Sequence, residues 1–162
     1  MIVRSYEPED VPMMRLIWNE IVDEGRSFPQ YTGFADAKEA AAFFQSQTYV
    51  GVAGDDGKIE GFYILHPNNV GRCGHIANAS YCVRKDLRGQ HIGVKLVMDS
   101  LRKAQDFGFY IMQFNAVVDS NVHALNLYKR LGFTDMGVIP NGFVNRDEEF
   151  EDIHVMYLNL FD

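Results

Sequence analysis

No stretch of this sequence is apolar over the roughly 18 residues that a membrane-spanning helix requires, so a membrane is not an expected partner. The opening residues, MIVRSYEPED, lack the apolar core of a secretory signal, and the expected compartment is the cytoplasm. Positive charge is scarce: 15 Lys and Arg face 22 Asp and Glu, a formal charge of -7, which disfavours nucleic acid and other polyanions. Only two cysteines are present, Cys73 and Cys82, read as lying in one strand. Nine residue steps of strand span up to about 30 Å, against the roughly 7 Å between Cα atoms that a disulfide tolerates. Both are expected to be reduced and buried as small hydrophobes, and no His/Cys spacing around them suggests a metal. Neither a Walker lysine pattern nor a G-x-G-x-x-G fingerprint occurs.

What is present fits one mixed α/β domain over residues 1–162. Apolar residues make up 47% and charged residues 23%, an ordinary globular composition, and the length suffices to cover a sheet with a core. A short strand at 2–6 precedes Pro12 and a helix to about Asp23, marked by Val11, Met14, Ile17, Trp18 and Ile21. The aperiodic GRSFPQYTGF is a loop, and a second helix runs from about Asp36. YVGVAG and IEGFYIL flank the turn signal DDGK and should pair antiparallel. After the turn-rich HPNNVGRCG, His75 to Val83 reads as a strand. A long helix from His91 to about Phe107 stops at Gly108. YIMQFNAVV is the most hydrophobic strand and should be central. SNVHALNLYKRLGF is a short helix, and FTDMGVIP and DIHVMYLNL are two final strands around an acidic, Gly-containing loop.

Chemistry concentrates in one place. Val83-Arg-Lys-Asp-Leu-Arg88-Gly89-Gln90-His91-Ile92-Gly93 joins a strand end, a basic turn and a helix start. Backbone N–H groups at a helix start lack intrahelical partners and lie at the positive end of the dipole, which suits a phosphate. Arg84, Lys85 and Arg88 add local charge to an acidic chain, and Gly89 and Gly93 permit close approach. Such turns also cap helices without binding anything.

The segment from Tyr81 to Gly93 resembles the acetyl-CoA pyrophosphate loop of the GNAT family of N-acetyltransferases, R/Q-x-x-G-x-G/A. Asn121-x-x-Ala124-x-x-x-Tyr128-x-x-x-Gly132-Phe133 resembles that family's second signature, and the element order matches along nearly the whole chain. One departure stands out: His91 occupies the first motif glycine. The resemblance implies a mostly antiparallel central sheet splayed between strands 4 and 5 and flanked by about four helices. It implies acetyl-CoA as cosubstrate, no metal, and binding by Tyr81, Cys82, Val83, Arg88, Gly89, Gln90, His91, Ile92, Gly93, Val94, Asn121 and Tyr128. Tyr128 would protonate the departing thiolate, or else it is a core tyrosine on the Leu125/Leu131 face. Asn121 would touch the pantetheine arm or cap its helix. Asn78 and Asn115, polar in apolar strands, would hold the acceptor or the acetyl carbonyl, or pair with loop backbone.

The proton acceptor is open among Glu20, Glu24, His75, Asp119 and a water relay. DEGRSFP, HPNNVGRCGHIANA and RGQHIG together are similar to a branch that acetylates small amino acids, including proline analogues such as azetidine-2-carboxylate. Trp18-Asn19-Glu20 resembles the phosphinothricin-type neighbours. The expected acceptor is therefore a small amine or amino acid, bounded by Phe28 and Glu24 as well as Asn78 and Asn115. The resemblance also implies a homodimer, paired through the edge of the final strands. The alternative function is a non-catalytic acyl-CoA sensor.

Overall fold

The computed structural model describes residues 2–54 and 58–161. In chain order its elements are β1 (Val3–Ser5), α1 (Val11–Glu24), α2 (Ala37–Gln45), β2 (Tyr49–Ala53), β3 (Gly61–Pro67), β4 (Ile76–Val83), α3 (Ile92–Asp106), β5 (Ile111–Val118), α4 (Val122–Arg130), β6 (Thr134–Val144) and β7 (Phe150–Asn159). A mixed α/β fold of this order was expected. The expected DDGK turn includes residues 55–57, which lie outside the described residues, but the strands it joins do pair antiparallel, with Tyr49 opposite Leu65 and Ala53 opposite Gly61.

The seven strands lie in the order β1-β2-β3-β4-β5-β7-β6. Every neighbouring pair is antiparallel except β4 and β5. Those two run parallel and align only at Ile76 with Ile111 and at Ala77 with Met112. Beyond Ala77 they diverge, which is the expected splay.

Helices cover both faces of the sheet, so its inner strands read as continuous apolar runs rather than as an alternation. Phe62 and Ile64 of β3 pack with Trp18 and Phe44 of α1 and α2. Tyr63 and Leu65, pointing the other way, pack with Leu96 of α3, Leu125 of α4 and Phe114. Local signals set the ends of the helices. Asp36 caps α2 by accepting from the Glu39 amide at 2.8 Å. Gly25 closes α1 in the left-handed region at φ 62°.

Two sequence expectations are corrected. Cys73 is not in a strand with Cys82: it ends a short 3-10 turn at Gly71–Cys73 and is exposed, whereas Cys82 is buried in β4, and both are free. The glycine of the final loop belongs to a strand instead. β6 continues through Pro140 and Gly142 to Val144, leaving only the acidic turn 145–149 before β7. Proline fits there because β6 is the edge of the sheet, where a missing N–H breaks no ladder.

Candidate functional site

Divergence of β4 from β5 leaves their facing edges unpaired while each stays bonded to its other neighbour, and a cleft of about 570 Å³ opens where they part. Tyr81 and Val83 of β4 form one wall, continued by Arg88, Gly89 and the first turn of α3. Ser120, Asn121 and α4 as far as Tyr128 form the other, and Glu24, Arg26 and Ser27 border the mouth.

The turn from β4 into α3 is shaped for an anion. Gly89 has φ 84°, and His91 follows at φ 63° as the residue that opens α3, with no side-chain cap on the helix. A left-handed non-glycine residue is uncommon; here it turns the chain so that the Ile92, Gly93 and Val94 amides begin the helix uncapped. A Cβ added at Gly89 or Gly93 would meet nothing within 4 Å, so both face open space. The Arg88 guanidinium is not free: Nη1 and Nη2 donate to Glu24 Oε2 and Oε1 at 2.9 and 2.6 Å. That guanidinium holds Glu24 below the usual carboxylate range.

Across the cleft, Asn121 accepts from the Ala124 amide at 3.4 Å, so it caps α4 as well as lining the cleft. Tyr128 stands nearly two turns further along α4. Its ring packs on Phe114 at 4.5 Å, Phe133 at 5.5 Å and Tyr81 at 6.5 Å between centroids. Among the described residues its hydroxyl makes no hydrogen bond, and burial pushes the phenol pKa up. Tyr81 is tied down differently: Ser100 donates to the Val97 carbonyl, which leaves the Tyr81 hydroxyl to donate to Ser100 Oγ at 2.7 Å.

All the expected cosubstrate residues line this cleft except Cys82 and Gln90. Cys82 points through the sheet into the core under α1, where burial pushes its thiol pKa up and removes it as a nucleophile. Gln90 is exposed in the turn.

Asn78 and Asn115 lie on the opposite face of the sheet from Tyr128. On β4 Asn78 alternates with Ala77 and Ala79, which belong to the α3 side, and on β5 Asn115 follows inward-facing Phe114. The Asn78 amide donates to the Gln113 carbonyl at 2.9 Å, bridging the diverging strands just past their last paired residues. Both asparagines also donate to Asn68 Oδ1, at 3.2 and 2.7 Å, and Gln113 donates to Asn115 Oδ1 at 3.0 Å. Four amides thus ring the neck of the splay. Asn68 and Gln113 were not singled out from the sequence, since Asn68 sits in a stretch whose Pro, Asn and Gly residues signal only a turn.

A model of the acetyltransferase (GNAT) family matches residues 13–133. The chain belongs to that family. N-acetyltransferase aca1 of Schizosaccharomyces pombe is 33% identical over 96 residues, which cover 59% of this chain and 46% of that protein; the matched stretch is under half of the relative's length. A GCN5-related N-acetyltransferase from Kribbella flavida superposes with TM-score 0.89 at 31% identity, covering 98% of this chain and 96% of its own. A phosphinothricin acetyltransferase from Sinorhizobium meliloti, solved in complex with AcCoA, has the same fold: TM-score 0.89, 20% identity, 98% of this chain and 87% of that one.

Within this GNAT domain the candidate proton acceptors are scattered. Glu20 lines a separate cleft of about 450 Å³ with Leu16 and Lys85. Glu24 is engaged by Arg88. His75 lies at the start of β4, its ring edge-on to Tyr110 at 6.4 Å, outside the cleft lining. Asp119 accepts from His154 Nε2 at 2.7 Å, while His154 Nδ1 donates to Asp135 at 2.7 Å. His154 was not singled out from the sequence, because its partners Asp119 and Asp135 lie 35 and 19 residues away and meet it only in the folded sheet. Phe28, within the connection that leaves α1, packs its ring on Trp18 at 4.8 Å and tilted 47°. No group of three His, Cys, Asp or Glu side chains among the described residues could hold a metal ion.

Proposed function

We propose that this GNAT domain moves an acetyl group from acetyl-CoA to the amine of a small molecule, an amino acid or a proline analogue, by direct attack. One observation carries the reading: the uncapped start of α3 and the unpaired phenol of Tyr128 share the walls of one cleft at the strand splay. The amides of Ile92, Gly93 and Val94 fit a pyrophosphate, and the open space at Gly89 and Gly93 lets its oxygens approach. His91, left-handed at φ 63° where the motif has a glycine, lines the cleft and leaves the start of α3 without a side-chain cap.

The amine nitrogen attacks the thioester carbonyl carbon, a C–N bond forms, and the C–S bond breaks as the sulfur leaves with its electron pair. Tyr128 supplies the proton that the thiolate takes, the ammonium proton is lost to solvent through water, and the Tyr128 phenolate regains a proton from solvent to close the cycle. A raised phenol pKa keeps Tyr128 protonated at neutral pH. The same desolvation raises the basicity of a thiolate formed beside it, which offsets the mismatch with a reference thiol pKa of about 8.5. On the far face, the amide ring of Asn68, Asn78, Gln113 and Asn115 would receive the acceptor. Neutral amides can bond a carboxylate or the acetyl oxygen without the charge an arginine clamp would add; Phe28 and Glu24, in and at the start of the α1–α2 connection, would bound the acceptor from the cleft mouth that Glu24 lines.

The test is release of CoA thiol from acetyl-CoA against small amino acids, cyclic imino acids, polyamines and a peptide amine. Turnover is expected on the first two classes. Asn115→Ala should raise KM for the acceptor about tenfold or more, the scale of losing one good hydrogen bond to a charged group. Asn78→Ala and Asn115→Ala that both leave KM and kcat unchanged for every amine would remove the amide ring from the acceptor site. Binding of acetyl-CoA with no turnover on any amine would instead mark a sensor.

A further inference from the structure

Arg88 and Glu24 belong to different parts of the site, and their pairing ties those parts together. Arg88 precedes the glycine of the turn into α3, and Glu24 is the last residue of α1. The two form a parallel fork of hydrogen bonds, with Glu24 the less exposed partner. A guanidinium has five N–H donors; this fork uses two, and the remainder can bond an anion in the cleft without releasing Glu24.

Glu24 is fixed on its other side as well. Gly25 lies so close to the turn between β6 and β7 that a Cβ there would stand 2.8 Å from the Arg146 Cβ. Its carbonyl accepts from the Arg146 amide at 3.0 Å, and Arg26 pairs with Asp147 at 2.9 Å. From that node the chain runs on to Phe28 and Phe34, which pack on Trp18 at 4.8 and 5.5 Å.

We propose that Glu24 is a positioning residue that couples the two substrates: through its fork to Arg88, an anion seated at the start of α3 sets the α1–α2 connection over the acceptor. The proposal rests on the reading that residues 25–36 border the acceptor. Glu24 touches neither reacting atom in this scheme. It transmits the position of Arg88 to Gly25, and from there to the aromatic residues of the connection.

The sole tryptophan of the chain reports on this, because Trp18 is buried against the two aromatic residues of the connection. Saturating CoA, with no amine present, should change Trp18 emission in the wild type. In Glu24→Gln, at CoA concentrations shown by calorimetry to be saturating, that change should fall to less than a third. Arg88→Gln, saturated in the same way, should lose the response too. In kinetics, Glu24→Gln should raise KM for the amine about tenfold while KM for acetyl-CoA moves less than threefold, a split that a general loss of folding would not give. An emission change as large in Glu24→Gln as in wild type overturns the coupling, as does a wild type whose emission ignores CoA. Loss of CoA binding in Glu24→Gln also overturns it, since Glu24 would then belong to the anion site itself. The fluorescence response does not depend on which amine is acetylated, so failure of the acceptor reading would leave it standing.

Discussion

Tyr128 has a ring held by Phe114, Phe133 and Tyr81 and a hydroxyl that none of the described residues engages. Removing the hydroxyl alone should therefore separate chemistry from packing. Tyr128→Phe keeps the ring contacts, so thermal stability should stay within about 1 kcal/mol of wild type, the scale of one neutral hydrogen bond. Loss of a positioned proton donor should lower kcat by about 10²-fold or more, and an unchanged kcat would move the donor role to water. The two thiols make a second residue-scale contrast. Cys73 is exposed on a 3-10 turn, and Cys82 is buried with its thiol pKa raised. An aromatic disulfide reagent should titrate one thiol per native chain and two after unfolding; rapid reaction of both in the native state would contradict the packing of β4 on α1. The sequence carried the motif residues because their chemistry depends on backbone shape, which Gly and Arg announce locally. Of the amide ring it announced Asn78 and Asn115, polar residues in apolar strands, but not Asn68 and Gln113, which join them only after three segments fold together.

At the scale of elements, His154 links three strands of the sheet. It lies on β7 and bonds Asp119 just past β5 and Asp135 on β6, so both ring nitrogens face carboxylate oxygens. Only the imidazolium can donate to both. Its pKa is raised, chiefly by the bond to Asp119, and that of Asp135 is lowered by its bond to His154 against the opposing cost of burial. A raised histidine contributes its stabilisation in full below its unfolded value of about 6.5 and loses it as pH rises through the folded value. A lowered aspartate contributes above about 3.9 and loses it as pH falls through its folded value. The melting temperature should be highest between these limits and fall on both sides. Differential scanning calorimetry of wild type and His154→Gln should show the gap between them narrowing as pH rises from about 6 to 9; a constant gap would show that the charge contributes nothing. Helices were legible because burial of one face imposes a period on the sequence, and inner strands because burial of both faces gives short continuous apolar runs between turn signals. β6 was read only as far as Pro140, because as an exposed edge it carries neither a strict alternation nor a need for every N–H.

For the whole molecule, the proposed function requires a chain of net charge -7 to bind a polyphosphate against its own field. Composition points to the basic turn at Arg84, Lys85 and Arg88 as the answer. In the folded chain two of those cations are already engaged: Arg84 pairs with Asp86 at 2.7 Å and Arg88 with Glu24 at 2.6 Å. Their neutralised pairs contribute little long-range attraction. Under the proposed function, short-range donors, the amides at the start of α3 and the spare N–H groups of Arg88, would then hold the anion. Screening acts on separated exposed charges beyond a Debye length of about 10 Å at 0.1 M and much less on contacts inside a cleft. KM for acetyl-CoA should accordingly rise by less than about threefold between 0.05 and 0.5 M salt, far from the steep loss that charge-steered association shows. In Glu24→Gln the uncompensated Arg88 should make the same KM fall more steeply as salt is lowered. A strongly salt-dependent wild type would mean that the acidic carboxylates do not mask the turn, and that net positive potential at the cleft mouth draws the anion in.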